Sequence, residues 1–170
     1  MKSTILHLFF LILSTTISAQ VSIDKLSDNF LYSIPPFKQC HASTLVELSN
    51  SSFLAAAFGG SREGNNDVAI WLSRYENNKW LEPVKVATGA SSDGKVYPNW
   101  NPVLYKITAE KLYLFYKTGP SPREWWGMYK VSIDNGHTWG PPQRLAKDIL
   151  GPIKNKLITL KDGTLLSPSS

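Results

Sequence analysis

The chain contains little cysteine and little histidine, and both shortages limit what it can be. Cys40 is the one cysteine among 170 residues, so no disulfide can form within the chain and packing must provide its stability. After the first few residues only His41 and His137 remain, which leaves no Cys or His pair at zinc spacing. No glycine-rich phosphate loop is present either. We therefore expect neither a metal site nor a cofactor.

Long apolar runs are also missing, except at the N-terminus. Residues 1–19 contain a lysine, an apolar run at 5–13 and small residues up to Ala19. This pattern predicts a secretory signal peptide cleaved after Ala19, with an uncleaved anchor as the alternative. No later segment reaches the roughly 20 apolar residues of a membrane-spanning helix. We expect a soluble protein without a membrane span, secreted or periplasmic.

The basic residues do not cluster. The formal charge is +5, but the lysines and arginines are scattered among predicted strands and turns rather than gathered in one run. This distribution argues against nucleic acid as a partner. A mild positive field suits an acidic sugar, and the sequence leaves the oligomeric state open.

What the chain does have is a series of short β-rich runs. Residues 20–39 show no periodicity and are interpreted as a lead-in. The runs that follow are separated by Asn, Asp, Gly and Ser turns, and they cover residues 44–48, 53–58, 68–75, 84–87, 103–107, 112–116 and 127–132. No segment has a helical apolar stripe of useful length. The pattern predicts an all-β protein.

An internal repeat organises these runs. Residues 73–80 begin with serine and end with tryptophan, and so do residues 132–139, at an offset of 59 residues. Residues 44–48 map onto 103–107 by the same offset. Four short strands per unit is the content of a β-propeller blade. We predict two blades up to about residue 147, and a third that begins with a hairpin at residues 161–163.

Residues 40–170 therefore predict part of a β-propeller, about two and a half blades. A closed propeller needs roughly four to eight blades, so we expect this chain to be the N-terminal part of a longer reading frame. The alternative is a small β-sandwich.

The second copy of the repeat carries a complete Asp-box. Ser132, Asp134, Gly136 and Trp139 occupy defined positions of the pattern Ser, any, Asp, any, Gly, any, Thr, Trp. Asn135 and Gly136 favour positive φ, the Asp134 carboxylate can accept backbone N–H groups, and Trp139 can cover an apolar face. The motif predicts a structural turn rather than a catalytic acid.

Taken together, these motifs resemble the sialidase (neuraminidase) superfamily, including secreted bacterial BNR-repeat proteins. The resemblance covers about residues 41–170. It rests on residues 54–58 leading into Ser61, Arg62 and Asp67, on residues 101–104, on the Asp-box, and on Gly151 and Pro152. It implies a β-propeller, six-bladed when complete.

The resemblance also implies roles in the glycine-rich loop 59–67. In sialidases the corresponding loop carries a substrate-binding arginine and, five residues later, an aspartate that serves as general acid and base. Arg62 and Asp67 have that spacing. The alternative is a solvated loop in which Arg62 and Asp67 merely form an ion pair.

One departure from the family pattern bears on the substrate. An Arg-Ile-Pro sequence normally opens the first blade and binds the sialic acid carboxylate, whereas this chain has His41, Ala42 and Ser43 there. An imidazole binds a carboxylate less well than a bidentate guanidinium. His41 is therefore predicted to bind a different acidic sugar or to transfer a proton, with a purely structural histidine as the alternative.

Two further loops are candidate rims of a sugar site. Residues 120–126 contain Arg123, which can reach an anion, and two tryptophans, of which at least one is expected in the core. Asn101 lies in a second candidate rim at residues 97–101.

Three functions follow as hypotheses. The first is an exo-acting glycoside hydrolase that removes terminal acidic sugars from a glycan or polysaccharide, with Asp67 as general acid and base and with Arg62, His41, Arg123 and Asn101 binding substrate. The second is a glycan-binding propeller without catalysis. The third is a glycosidase or lyase that acts on uronate-containing polysaccharide and uses His41.

Overall fold

The computed structural model describes residues 22, 25, 28–49, 51–91 and 94–169. The predicted signal peptide at residues 1–19 lies outside the described residues. Within those residues every regular element is a β-strand, which confirms the all-β prediction. Among the same residues, no helix is long and apolar enough to cross a bilayer.

The first sheet is an antiparallel meander formed by the first copy of the repeat. The hairpin between its third and fourth strands turns at Asn77 and Asn78, whose φ angles are 51° and 60°, as a two-residue turn requires. The strands are β1 Gln39–Glu47, β2 Phe53–Gly60, β3 Ala69–Glu76, β4 Lys79–Trp80 and β5 Val84–Ala87. Their order is β1-β2-β3, with β4 and β5 both paired to β3.

The second sheet repeats this meander, and a hairpin follows it. The strands are β6 Asn99–Lys106, β7 Leu112–Thr118, β8 Trp126–Ser132, β9 Gln143–Arg144, β10 Ile158–Thr159 and β11 Leu165–Leu166. The second sheet has the order β6-β7-β8-β9, and β10 pairs with β11. The second sheet therefore has the predicted four strands and the hairpin follows it, whereas the first sheet has five strands, because β4 and β5 pair with different parts of β3.

The first strand of each sheet contains a β-bulge at the equivalent position of the repeat. β1 has a register shift between His41 and Thr44, and β6 has one between Trp100 and Val103. The bulge contains Ala42 at φ 53° in β1 and Asn101 at φ 41° in β6. These positions are 59 residues apart, so the sequence offset is also the structural offset.

The two sheets pack face to face, and the hairpin packs on the far side of the second sheet. One buried cluster joins Leu54, Ile70 and Leu72 of the first sheet to Leu104 and Leu114 of the second. A second cluster includes Val103, Phe115 and Leu157, which covers the opposite face of the second sheet. The second sheet is thus a layer between two neighbours, as a blade is in a propeller.

Basic side chains join neighbouring repeats by donating hydrogen bonds to backbone carbonyl oxygens. Such bonds satisfy carbonyls that strand pairing leaves open. They run from Arg74 to Asn135 O at 2.8 Å, from Lys130 to Val86 O at 2.8 Å, from Lys117 to Pro152 O at 2.7 Å and from Lys156 to Leu104 O at 3.0 Å.

The pairing defines two ends of the sheet stack. Gln39 pairs with Gly60, and Asn99 with Thr118, so the first residues of β1 and β6 lie beside the loops that follow β2 and β7. We call this end, formed by residues 39–41, 61–67, 99–101 and 119–125, the loop face. The Asp-box turn, at residues 132–139, lies at the other end.

Candidate functional site

The loop at residues 61–67 is a compact turn on the loop face. The backbone N–H of Asn65 donates to Arg62 O at 3.1 Å, and that of Val68 donates to Asn65 O at 3.0 Å. Gly64 has a φ of 84°, a conformation that a side chain would strain. The loop therefore has a defined shape and holds its polar side chains at the surface.

Asp67 closes this loop with its carboxylate. The backbone N–H of Ser61 donates to Oδ2 at 2.8 Å, and the Ser61 hydroxyl donates to Oδ1 at 2.9 Å. The Asn65 amide in turn donates to the Ser61 hydroxyl at 2.9 Å. Asp67 is exposed, so its carboxylate is oriented by Ser61 and still open to solvent.

Arg62 projects from the same loop. It is exposed, and among the described residues its guanidinium takes part in no ion pair. The alternative expectation, an ion pair between Arg62 and Asp67, is therefore wrong for the described structure. A guanidinium without a protein carboxylate is available to an external anion.

His41 lies at the start of β1 next to Glu63 of the loop. The distance from His41 Nε2 to Glu63 Oε2 is 3.8 Å, and each side chain is about half exposed. The His41 ring also lies against Phe58, with ring centroids 5.6 Å apart, and the Glu63 N–H donates to Gln39 Oε1 at 3.2 Å. The loop and β1 thus bring an imidazole and a carboxylate together, a pairing that sequence reasoning did not assign.

In the second repeat, Trp100 supports the loops of both sheets. It is buried, its indole N–H donates to Gly119 O at 3.0 Å, and its ring packs against Phe58 and Trp125 at centroid distances of 5.8 and 6.0 Å. A Cβ on Gly64 would lie 3.6 Å from this ring. Trp125 therefore packs on another aromatic ring, as expected for at least one tryptophan of its loop.

Asn101 and Arg123 occupy different surroundings. Asn101 is half-buried in the β6 bulge, next to Trp100. Arg123 is exposed and lines a cleft of about 410 Å³ with Trp126 and Lys147, beside the outer strand β9. The described contacts thus connect His41 to the loop of Arg62 and Asp67, whereas Arg123 faces the periphery.

A buried lysine lies beneath the loop face. Lys117 is fully buried near the end of β7, with Pro152 O as its acceptor, and burial lowers the pKa of its ammonium group to about 8. In the neighbouring strand, Asn99 accepts from the Thr118 hydroxyl at 2.7 Å and donates to Ala87 O at 3.3 Å. These buried polar groups support the start of β6 from below.

The Asp-box lies far from these groups, in the turn after β8. Asn135 and Gly136 have φ angles of 58° and 81°. The Thr138 N–H donates to both Asp134 oxygens, at 2.9 and 3.0 Å, and the Ser132 hydroxyl donates to Asp134 Oδ1 at 2.7 Å while accepting from Gly136 N–H at 2.8 Å. Asp134 thus bonds within its own turn.

These bonds affect the acidity of Asp134. The hydrogen bonds from the Thr138 side chain, the Thr138 backbone and Ser132 hold the pKa of the Asp134 carboxyl well below its usual range, because they stabilise the charged form. Trp139, the last residue of the motif, packs against the core shared by the two sheets. The motif therefore packs one repeat against the other.

No obvious metal site is present in the described part of the chain. Among residues 28–49, 51–91 and 94–169, no three His, Cys, Asp or Glu side chains are placed to share an ion. The chemistry available on the loop face is that of carboxylates, an imidazole and a guanidinium.

Comparison with known proteins agrees with this architecture. Residues 51–170 match a protein-family model described as a BNR repeat-like domain. No curated protein matches the chain. The matched range contains both sheets apart from β1, the loop with Arg62 and Asp67, and the Asp-box.

Proposed function

Because this chain belongs to the BNR repeat-like domain family, we propose that it is a secreted or periplasmic sialidase-like glycoside hydrolase. It acts at chain ends, removing a terminal acidic sugar from a glycan or polysaccharide. Asp67 is the general acid and base, and Arg62 and His41 bind the sugar. The observation that supports this most is the exposed Asp67 carboxylate, held by Ser61 on the same face as Arg62 and His41.

The loop geometry suits proton transfer by Asp67. A general acid must be positioned so that its proton points at the leaving glycosidic oxygen. The two bonds from Ser61, at 2.8 and 2.9 Å, restrict rotation of the carboxyl group, while its exposure leaves it accessible to substrate. Protonated Asp67 gives its proton to the leaving oxygen as the glycosidic C–O bond breaks, and its carboxylate then takes a proton from the water that bonds to the anomeric carbon.

Arg62 and His41 suit recognition of an acidic sugar. The Arg62 guanidinium is exposed and can form a bidentate pair with a sugar carboxylate. His41 can donate one hydrogen bond, but its neighbour Glu63 would repel an anion placed directly beside it. The sugar carboxylate therefore belongs at Arg62, with a hydroxyl group at His41.

The test is turnover by Asp67→Asn, with Asp162→Asn as the matched control. Asp162 is another exposed aspartate that accepts a backbone N–H, at 2.9 Å from Thr164, in the β10–β11 hairpin. Removing the acid should lower kcat by roughly 10² to 10⁴ on glycosides with natural leaving groups. On aryl glycosides the kcat of Asp67→Asn should fall less, because a good leaving group needs little protonation. Asp162→Asn should match the unsubstituted chain.

Sialosides and uronosides with natural and with nitrophenyl leaving groups should be compared in this assay. Undiminished turnover of the natural glycosides by Asp67→Asn would remove Asp67 from the mechanism and make His41 the next candidate.

A glycan-binding protein without catalysis is the second candidate function. It is favoured by the fact that both Asp67 oxygens already bond to Ser61, as in a purely structural loop. Under this alternative, acidic oligosaccharides bind, Arg62→Gln weakens the binding, and no glycoside is cleaved.

A further inference from the structure

A cleft separates the outer parts of the two sheets, away from the loop that carries Arg62 and Asp67. Its volume is about 440 Å³, within the usual range for sites that hold a small organic ligand. One wall follows β5 and contains Thr88 and Ala90, and the other contains Trp126, Met128 and Arg144 of β8 and β9. A smaller hollow of about 250 Å³ adjoins it and shares Thr88, Ala90, Tyr116 and Pro142.

The charges around this cleft have one sign. Lys85, Lys130 and Arg144 line the two hollows, and no acidic side chain does among the described residues. Lys130 spans the space between the sheets by donating to Val86 O at 2.8 Å, which leaves two of its three N–H groups for another acceptor. The cleft is therefore suited to an anion.

Arg144 is exposed, and its guanidinium lies over an aromatic ring. Its guanidinium carbon lies 4.7 Å from the centre of the Trp126 ring, and Tyr97 packs edge-on against the same ring at 5.4 Å. A guanidinium stacked on an aromatic ring still presents its N–H groups along its edge. Such an edge matches the two oxygens of a carboxylate or sulfate group.

Tyr116 forms part of the floor that the two hollows share. Its side chain is 1% exposed, and its hydroxyl group is buried with no hydrogen-bond partner among the described residues. Burial raises the pKa of this phenol, so the floor of the cleft carries no charge at ordinary pH.

We propose that this inter-sheet cleft is a second saccharide site, separate from the loop that carries Arg62 and Asp67, for a sugar that carries a carboxylate or sulfate group. Arg144 and Lys130 bind the anionic group, and the exposed Thr88 hydroxyl group faces the sugar hydroxyls. The volume is far larger than an inorganic ion requires, and the mixture of aromatic, hydroxyl and basic groups fits an acidic sugar ring better than a bare ion.

The test is calorimetric titration of the full chain with tri-galacturonate and with a sulfated trisaccharide. Neutral trigalactose and inorganic sulfate serve as comparison ligands. Arg144→Gln is expected to weaken acidic trisaccharide binding at least tenfold, and Thr88→Val, which keeps the shape of the side chain, at least threefold. Lys111→Gln is the matched control, because Lys111 also stacks on an aromatic ring, at 5.6 Å from Tyr113, outside the cleft. It should change the affinity less than twofold.

Four outcomes would overturn the inference. Three of them are equal losses in Arg144→Gln and Lys111→Gln, equal binding of trigalactose and the acidic trisaccharides, and the absence of acidic trisaccharide binding. Arg62→Gln separates this site from the proposed catalytic one. If Arg62→Gln alone abolishes binding, all of the acidic sugar sits on the loop face and the cleft plays no part.

Discussion

At the scale of single residues, two aspartates of this chain share a similar bonding pattern in different places. Asp67 accepts from Ser61 on the loop face, and Asp134 accepts from Thr138 and Ser132 at the opposite end. Asp134 lies in a turn that packs on the neighbouring repeat, whereas Asp67 lies on the same loop face as Arg62 and His41. Location rather than bonding therefore separates the proposed catalytic carboxylate from the structural one.

Asp134→Asn should lower the melting temperature at pH 7, because an amide is a poorer acceptor for the two Thr138 hydrogen bonds. The pKa of Asp134 is lower in the folded chain than in the unfolded one. Its contribution is therefore complete above about pH 5 and is lost as the pH falls toward the folded pKa. Melting curves between pH 7 and pH 2 should show the gap between the two proteins narrowing in acid. A gap that stays constant would contradict this account.

At the scale of the elements, the turn after β8 is adapted to its neighbour in the first sheet. Gly136 has a φ of 81°, and a Cβ there would lie 2.9 Å from Leu54 Cδ2 and 3.3 Å from the Arg74 guanidinium. Arg74 also donates to Asn135 O. The turn thus requires glycine at this position for two reasons: the positive φ of its backbone, and the close approach of Leu54 and Arg74 from the other repeat.

Gly136→Ala and Gly163→Ala together separate these two requirements. Gly163 has nearly the same φ, 85°, but a Cβ there would meet nothing within 4 Å. Gly163→Ala should reduce the free energy of unfolding by about 1 to 2 kcal/mol, the cost of left-handed backbone. Gly136→Ala should cost about 1 to 3 kcal/mol more, because Leu54 must shift. Urea denaturation measures both values, and equal losses would show that the packing against Leu54 is unimportant.

At the scale of the whole molecule, the repeats are joined by packing and by buried cations. Lys117 of the second sheet donates to Pro152 O in the segment before the hairpin. Its ammonium group is fully buried, and among the described residues this is its one hydrogen-bond acceptor. Burying a charge with so few partners is costly. The cost applies only while the ammonium group keeps its proton, so the stability of the stacked sheets depends on pH.

Stability should rise as the pH increases from about 8 toward 10. The pKa of Lys117 is about 8 in the folded chain, below its value of roughly 10.4 when unfolded. The folded state therefore releases its proton first, and the cost of burying the charge disappears as the pH rises. The total gain is on the order of 2 to 3 kcal/mol. Lys117→Met should abolish most of this rise in urea titrations, whereas the partly exposed control Lys111→Met should retain it.

Most of the fold was predictable because its signals are local. Alternating side chains, Asn and Gly turns and the Asp-box each determine backbone conformation over a few residues, and the offset of 59 residues between the copies showed that these signals repeat. That offset also predicted the equivalence of β1 and β6. The position of Arg62 and Asp67 between β2 and β3 followed from the same pattern.

Only the tertiary structure showed which side chains from distant parts of the chain meet. Three such contacts join residues that are between 19 and 35 positions apart in the chain. They are His41 with Glu63, Trp100 with Gly119, and Lys117 with Pro152. The same holds for the cleft beside Tyr116. The strands, the turns and their repetition could be predicted from sequence alone, because they depend on neighbouring residues. The contacts between repeats depend on how whole sheets pack, and no local pattern encodes that.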